Sequence, residues 1–218
     1  VLEPCEELIE MALKVQSAGL VRGTWGNLSL RRGAIVWITP SGIPYDALTP
    51  DNVVPVSLEK GKPLHNRREP STELLMHLEI YRRFPEINGV VHTHSIYASA
   101  FAAARMEIPC YTEDQAQIIG GKIRVASYAP PGTAELALNV VEALRDRFAA
   151  LLANHGAVSV GRSLREAYTA AEILEKSAEI AYILKILSPR QSPPELGEGE
   201  IATMRKTYLE SYGKGFVA

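Results

Sequence analysis

The sequence predicts an α/β domain with a short C-terminal extension, and three observations carry that reading. Segments of helical period alternate with short β-branched runs from residue 5 to about 187. The chain has 218 residues, 46% of them hydrophobic, which suits one large domain with a sizeable core. Residues 188–199 hold three Pro and two Gly, and set the extension apart as a linker followed by a helix over about 200–210 and a tail.

Leu8, Met11, Ala12 and Val15 recur at helical spacing over residues 5–18, and Gly19 stands where a C-terminal cap belongs. A hairpin follows, with Gly26-Asn27-Leu28-Ser29-Leu30 turning at Arg32-Gly33 into Ala34 to Thr39. Leu74, Leu78 and Tyr81 place a helix over 71–83, capped by Ser71 or Thr72, with Glu73 in its first turn. Val90 and Val91 mark a buried strand running into His92-Thr93-His94, and an Ala-rich helix is expected over 95–105. A strand and loop over 108–115, a Gly120-Gly121 turn, a strand at Ile123 to Ala126 and a helix over about 133–148 come next. A strand then ends in Asn154-His155-Gly156, and Ser163-Leu164-Arg165-Glu166 is a capping box opening the longest helix, to about 187. No internal repeat or low-complexity block is present.

Composition excludes several partners. A formal charge of −2 and a pI near 6.3 give no polyanion-binding signature, so nucleic acid is not expected. No apolar run approaches the roughly 20 residues that span a bilayer. Two Cys are too few for a disulfide framework and no charged-then-apolar leader opens the chain, so a reducing cytoplasm is the expected compartment.

Chemistry concentrates at the histidines. Period 2 sends His92 and His94 to one face, about 6.6 Å apart along the strand, where two imidazoles can converge on one ion. A single buried His is commonly just a hydrogen-bonded core residue, but His155 and Glu73 supply further ligands. Three neutral nitrogens and a carboxylate suit a divalent ion such as Zn2+, with Mn2+ or Co2+ as alternatives. Glu73 either complements the dipole of its helix or points at the metal. His77, one turn later, reads as a support behind the metal ligands or as packing, and His65 as solvated. The segments Thr24 to Asn27 and Ser41-Gly42 read as ordinary turns or as anion nests; Ser71 and Thr72, at a helix N-terminus, suit a phosphate.

Six motifs, Gly26-Asn27-Leu28-Ser29, Thr39-Pro40-Ser41-Gly42-Ile43-Pro44-Tyr45, Pro70-Ser71-Thr72-Glu73, His92-Thr93-His94, Gly120-Gly121 and Asn154-His155-Gly156, stand in the order and spacing of the zinc-dependent class II sugar-phosphate aldolases and epimerases. Over nearly its whole length the chain resembles that family, most closely its fuculose-phosphate aldolase branch. The resemblance implies a three-layer α/β/α fold with a central, mostly antiparallel mixed sheet, and a four-fold homotetramer with sites between subunits. It implies His92, His94 and His155 as Zn2+ ligands, with Glu73 as the catalytic carboxylate that also ligates the resting metal. It assigns the sugar phosphate to Gly26, Asn27, Ser41, Gly42, Ser71 and Thr72. The implied reaction is cleavage of a ketose 1-phosphate to dihydroxyacetone phosphate and an aldehyde. The alternatives on the same scaffold are a 4-epimerase, a methylthioribulose-1-phosphate dehydratase and, where the metal residues are lost, a non-catalytic interaction module.

One stretch departs from the pattern. Where the fuculose-phosphate branch has a Tyr that reaches a neighbouring subunit, this chain reads Tyr111-Thr112-Glu113-Asp114-Gln115. Either Tyr111 compensates, or Glu113 or Asp114 is the proton donor to the aldehyde oxygen. Tyr212 stands before Gly213 as a Tyr does near the end of that branch. With Tyr208 and Phe216 at four-residue intervals, it is expected to form a lid over the site.

Overall fold

The structure, a computed structural model, describes residues 3–65 and 68–211. Its seven strands are β1 (Gly26–Arg32), β2 (Ile35–Ile38), β3 (Val54–Ser57), β4 (Gly89–Thr93), β5 (Arg124–Ala126), β6 (Ala149–Leu152) and β7 (Gly156–Gly161). They form one sheet in the order β3-β2-β1-β4-β7-β6-β5, in which only the β5–β6 pair is parallel. The helices are α1 (Pro4–Ser17), α2 (Leu74–Arg83), α3 (Ile96–Ala104), α4 (Ala134–Leu144), α5 (Leu164–Leu187) and α6 (Glu198–Ser211).

Strand alternation builds the three layers. Val90, Ala150, Leu152, Val158 and Val160 face α2 and α4 in one apolar cluster. Their neighbours Val91, Ala149, Leu151 and Ala157, with Leu28 and Leu30, face α1, α3 and α5. The central strands are buried on both sides, so they carry few charges; the run Gly89 to Thr93 is buried throughout.

Two glycines let α5 lie down on this sheet. Gly89 and Gly161 are cross-strand partners. A Cβ on Gly89 would stand 2.4 Å from Leu164 Cα, and one on Gly161 would stand 2.4 Å from Ala167 N. Ser163, as expected, caps the helix by accepting from Glu166 N at 3.1 Å. Glu166 reaches back to Arg162 N, one residue earlier than a standard capping box.

Several boundaries differ from the sequence reading. β3 is unforeseen because Pro55 interrupts its pattern; it survives as an edge strand on β2. The Asn154-His155 pair is the turn of a hairpin whose second arm, β7, is also unforeseen and lies in the sheet interior. α2 begins at Leu74, so Glu73 is its cap rather than part of its first turn. α4 ends at Leu144, where Arg145 adopts a left-handed φ of 43° and redirects the chain towards β6. No strand forms over 108–115: Ile108 makes a single bridge to Ile123, and Gln115–Ile119 closes a π-helical turn. Tyr208 is packed rather than poised as a lid, 7% exposed within the α2/α4 cluster, with its hydroxyl on Glu166 at 3.0 Å. Tyr212 and Phe216 lie outside the described residues.

Gly89→Ala is expected to destabilise the protein by about 2–3 kcal/mol, because its new methyl meets backbone. Gly33→Ala, with φ 60° and open space around it, should cost about 1 kcal/mol. Urea unfolding of the two variants checks the contrast.

Candidate active site

The histidines meet where β4 and the β6–β7 turn emerge from the sheet. Thr93 pairs with Ala157, which sets the end of β4 beside the turn that carries His155. Gly156 permits this contact, since a Cβ there would lie 2.4 Å from Thr93 O and 3.3 Å from the His94 ring. Asn154 holds the turn in a left-handed conformation, φ 56°, and its Oδ1 accepts from Arg105 Nε and one terminal guanidinium nitrogen at 3.1 Å.

The three rings stand edge to face, with centroids 4.8–5.0 Å apart. His92 Nε2 is 3.0 Å from His94 Nε2 and 3.0 Å from Glu73 Oε2, and His155 Nε2 is 3.3 Å from Glu73 Oε1. His92 Nδ1 lies 2.9 Å from the carbonyl of Ala157. A carbonyl only accepts, so Nδ1 is the donor and Nε2 is the nitrogen turned towards the cluster. Burial, and then the charges of His92 and His155, push His94 down to about 4. Burial and His92 likewise lower His155. Burial alone would raise Glu73, but His92, His155 and Asn27 outweigh it and hold its carboxyl well below the usual carboxylate range. The centre therefore turns three imidazoles and a carboxylate towards one point. Among the described residues Glu73 Oε1 and His155 Nδ1 are buried without a hydrogen-bond partner. Such a donor set fits a divalent cation, and His92, His94 and His155 are the group of ligating atoms close enough to hold one.

Glu73 is fixed by its loop. Ser71 N donates to Thr39 O and Ser41 N to Glu69 O, both at 3.1 Å, which zips the Ser41-Gly42 loop to the Ser71-Thr72 loop. Ser71 Oγ accepts from Glu73 N at 3.3 Å, and Asn27 Nδ2 donates to Glu73 Oε2 at 2.9 Å.

A cleft of about 480 Å³ opens over the cluster, and Gly26, Asn27, Ser41, Gly42, Ser71, Thr72 and Glu73 all line it. The sequence brought these segments forward separately; the fold puts them in one place. Gly26, with φ 140° and a Cβ position 2.8 Å from His92 O, is required by close approach, and Gly42 by its left-handed φ of 72°. Among the described residues no Lys or Arg lines the cleft. An anion here would meet hydroxyls, backbone N–H groups and the N-terminus of α2. Asn27 differs from the expectation in one respect: its oxygen accepts from His77 at 2.5 Å and one amide N–H goes to Glu73, leaving a single N–H for a ligand.

Trp25, Pro131 and Asn154 also line the cleft, although the sequence reading gave none of the three a role of its own. Trp25 is 69% exposed, with its ring 6.0 Å from that of His94. Glu113 and Asp114 do not line the cleft of their own chain. Asp114 caps the π-helical turn and pairs with Lys176 at 2.5 Å. Tyr111 packs partly buried against α3 and α5. Tyr212 is outside the described residues.

Residues 6–182 match the family described as class II aldolase and adducin N-terminal domain, and the chain belongs to that family. It is 38% identical over 211 residues to a 5-deoxy-D-ribulose 1-phosphate aldolase of Bacillus thuringiensis serovar kurstaki, covering 96% of each chain. A 5-methylthioribulose-1-phosphate/5-deoxyribulose-1-phosphate aldolase of Rhodospirillum rubrum is 37% identical over 202 residues, covering 92% of this chain and 90% of that one. Among solved structures, an L-fuculose 1-phosphate aldolase superposes with a TM-score of 0.89 at 33% identity, over 94% of this chain and 96% of the other. The three-layer fold is thus that of a class II aldolase, and the protein is an aldehyde-lyase of a metal-dependent class. Among the described residues no helix is long and apolar enough to cross a membrane.

Replacing His92, His94 or His155 by Ala should remove bound divalent metal and activity together, as read by elemental analysis and rate on the same sample. A second expectation concerns acid stability. Burial, and then the charge of His92, push His77 down to about 3, whereas the unfolded chain protonates it near its ordinary value. Its contribution is therefore intact above about pH 6.5 and is lost as pH falls below that, because the unfolded state takes up a proton the folded state refuses. From pH 7 to pH 5 this single group should cost about 2 kcal/mol. Urea midpoints of metal-free protein at the two pH values should show the loss, and His77→Gln should reduce it.

Proposed function

We propose that this chain catalyses reversible aldol cleavage of a ketose 1-phosphate of the L-fuculose 1-phosphate type, giving dihydroxyacetone phosphate and a short aldehyde. Zn2+ is the metal in this reading, held by His92, His94 and His155. One observation carries it: within a single cleft, a buried cluster of lone pairs that asks for a cation adjoins a rim of neutral donors that suits an anion.

A bound divalent ion supplies Lewis-acid stabilisation of the negative charge that C3–C4 cleavage leaves on the ketose fragment. The chain's own residues do the rest. Gly26, Ser41, Gly42, Ser71 and Thr72 bind the phosphate and fix the orientation of the reacting bond, with Asn27 offering its remaining N–H. Glu73 stays ionised in a buried site, and its Oε2 is held by Asn27. That leaves Oε1 to take the proton from C3 of dihydroxyacetone phosphate in condensation and to return it in cleavage. Glu113 or Asp114, remote from the cleft of its own chain, acts from a neighbouring subunit in a homotetramer, and Tyr212 is the further candidate from the tail. The free thiols Cys5 and Cys110 suit a reducing cytoplasm.

A 5-deoxypentulose 1-phosphate is a second reading, supported by the names of the two sequence relatives. Both substrates share the phosphate and the cleaved bond and differ in the aldehyde. Dihydroxyacetone phosphate with L-lactaldehyde serves the first, and with acetaldehyde the second. Metal-dependent condensation with either confirms aldol chemistry, and the faster aldehyde chooses between them. No condensation with either, alongside epimerisation of a ketopentose 5-phosphate at C4, would sink both. Glu73→Gln should keep most of its metal while C3 proton exchange of dihydroxyacetone phosphate falls about 100-fold; exchange at the parental rate would remove Glu73 from its role.

A further inference from the structure

Behind Glu73 a line of four polar side chains runs into the protein, away from the cleft. Asn27 Nδ2 donates to Glu73 Oε2 at 2.9 Å. His77 Nε2 is 2.5 Å from Asn27 Oδ1, and His77 Nδ1 is 2.6 Å from Ser29 Oγ. Tyr81 OH is 2.8 Å from Ser29 Oγ and donates to Ser29 O at 2.9 Å. His77, Ser29 and Tyr81 are at most 1% exposed and Asn27 is 6% exposed.

Two periodicities mesh to produce this line. Asn27 and Ser29, two apart on β1, point to the same face of the sheet. Glu73, His77 and Tyr81, four apart through the cap and body of α2, descend one side of that helix. Five polar side chains in an otherwise apolar layer carry a desolvation cost that core packing does not require.

The protons can be assigned from one end. Glu73, as a carboxylate, only accepts, so it selects the Nδ2 end of Asn27. Asn27 Oδ1 then faces His77 and needs a donor, so Nε2 carries the imidazole proton. Nδ1 is left with its lone pair, which takes the hydroxyl proton of Ser29, and the one hydroxyl proton of Tyr81 is shared between Ser29 Oγ and Ser29 O. Burial keeps His77 neutral, which leaves it a single N–H to give. A flipped Asn27 would turn its oxygen against the carboxylate, and this His77 tautomer prevents it.

We propose that His77, backed by Ser29 and Tyr81, is a positioning residue for the aldol reaction. It locks the Asn27 carboxamide so that Glu73 Oε2 stays bonded and Oε1 is the oxygen presented to substrate. The proposal rests on the reading of Glu73 as the group that moves the carbon proton.

His77→Leu tests it, with His77→Gln as the conservative control, since a Gln amide presents an N–H where Nε2–H stood. In His77→Leu, kcat for C3 proton exchange on dihydroxyacetone phosphate should fall about 10-fold or more while KM stays within about twofold. In metal-free protein, exchange of the bonded Asn27 side-chain amide proton with water, followed by NMR, should quicken about 10-fold. His77→Gln should regain at least about a third of the parental kcat and the slow amide exchange. A folded His77→Leu with parental kcat and parental amide exchange overturns the proposal, as does equal loss in the Leu and Gln variants. Should His77→Leu not fold, Ser29→Ala, which deletes only Oγ, is read by the same two measurements, and parental values there overturn it. Glu73→Gln separates the two readings: parental exchange in that variant defeats Glu73 as the proton carrier, whereas its collapse beside a parental His77→Leu defeats the positioning role alone.

Discussion

Nε2 of His92 and Nε2 of His94 stand 3.0 Å apart, with a Glu73 carboxylate oxygen 3.0 Å from the first, and much of the chain's architecture serves to hold these ligating groups together. The cost of gathering acceptors in a buried place is borne by the sheet. β4 is buried on both faces and paired on both edges, so its last residues cannot swing away. The tight β6–β7 turn brings His155 to the same point, and Gly156 removes the methyl that would hold the two apart. The apolar layers on either side of the sheet fix the frame, and the cluster uses its rigidity.

The same economy governs the anion side. A buried Lys or Arg beside the triad would compete with a cation for Glu73, and among the described residues none lines the cleft. Recognition is left to backbone N–H groups, hydroxyls and a helix terminus, which favour negative charge without carrying a full positive one. Two backbone hydrogen bonds join the Ser41 and Ser71 loops. The donors and Glu73 therefore belong to one rigid piece, and a phosphate seated on the loops has a defined relation to the carboxylate.

Much of the fold was legible in the sequence because its signals are local. The capping residue Ser163, the period of α1, the turn at Gly33 and the Ala-rich α3 each follow from interactions within a few residues. The misses have a common cause. β3 is held as a strand by β2 although Pro55 weakens its own preference, and β7, which the sequence reading passed over, is held between β4 and β6. Tyr208, expected at a lid, is a core residue because Glu166 and the body of the protein lie in its path.

By itself the sequence determined the residue types of the site. His-x-His on a strand of period 2 can only send both rings one way, and Ser-Thr-Glu before an apolar helical stripe can only sit at a helix start. Motifs in known order then supplied the company those residues keep. What the tertiary structure decided was direction and partnership: that Asn27 turns its amide to Glu73, that Ala157 O fixes the tautomer of His92, and that His77 stands behind Asn27 rather than at the metal. Each of these joins residues 46 to 65 positions apart along the chain. Hydrogen-bond direction depends on distances of a few tenths of an ångström between different elements, and that is set by how β1, β4, β7 and α2 pack, which no local spacing encodes.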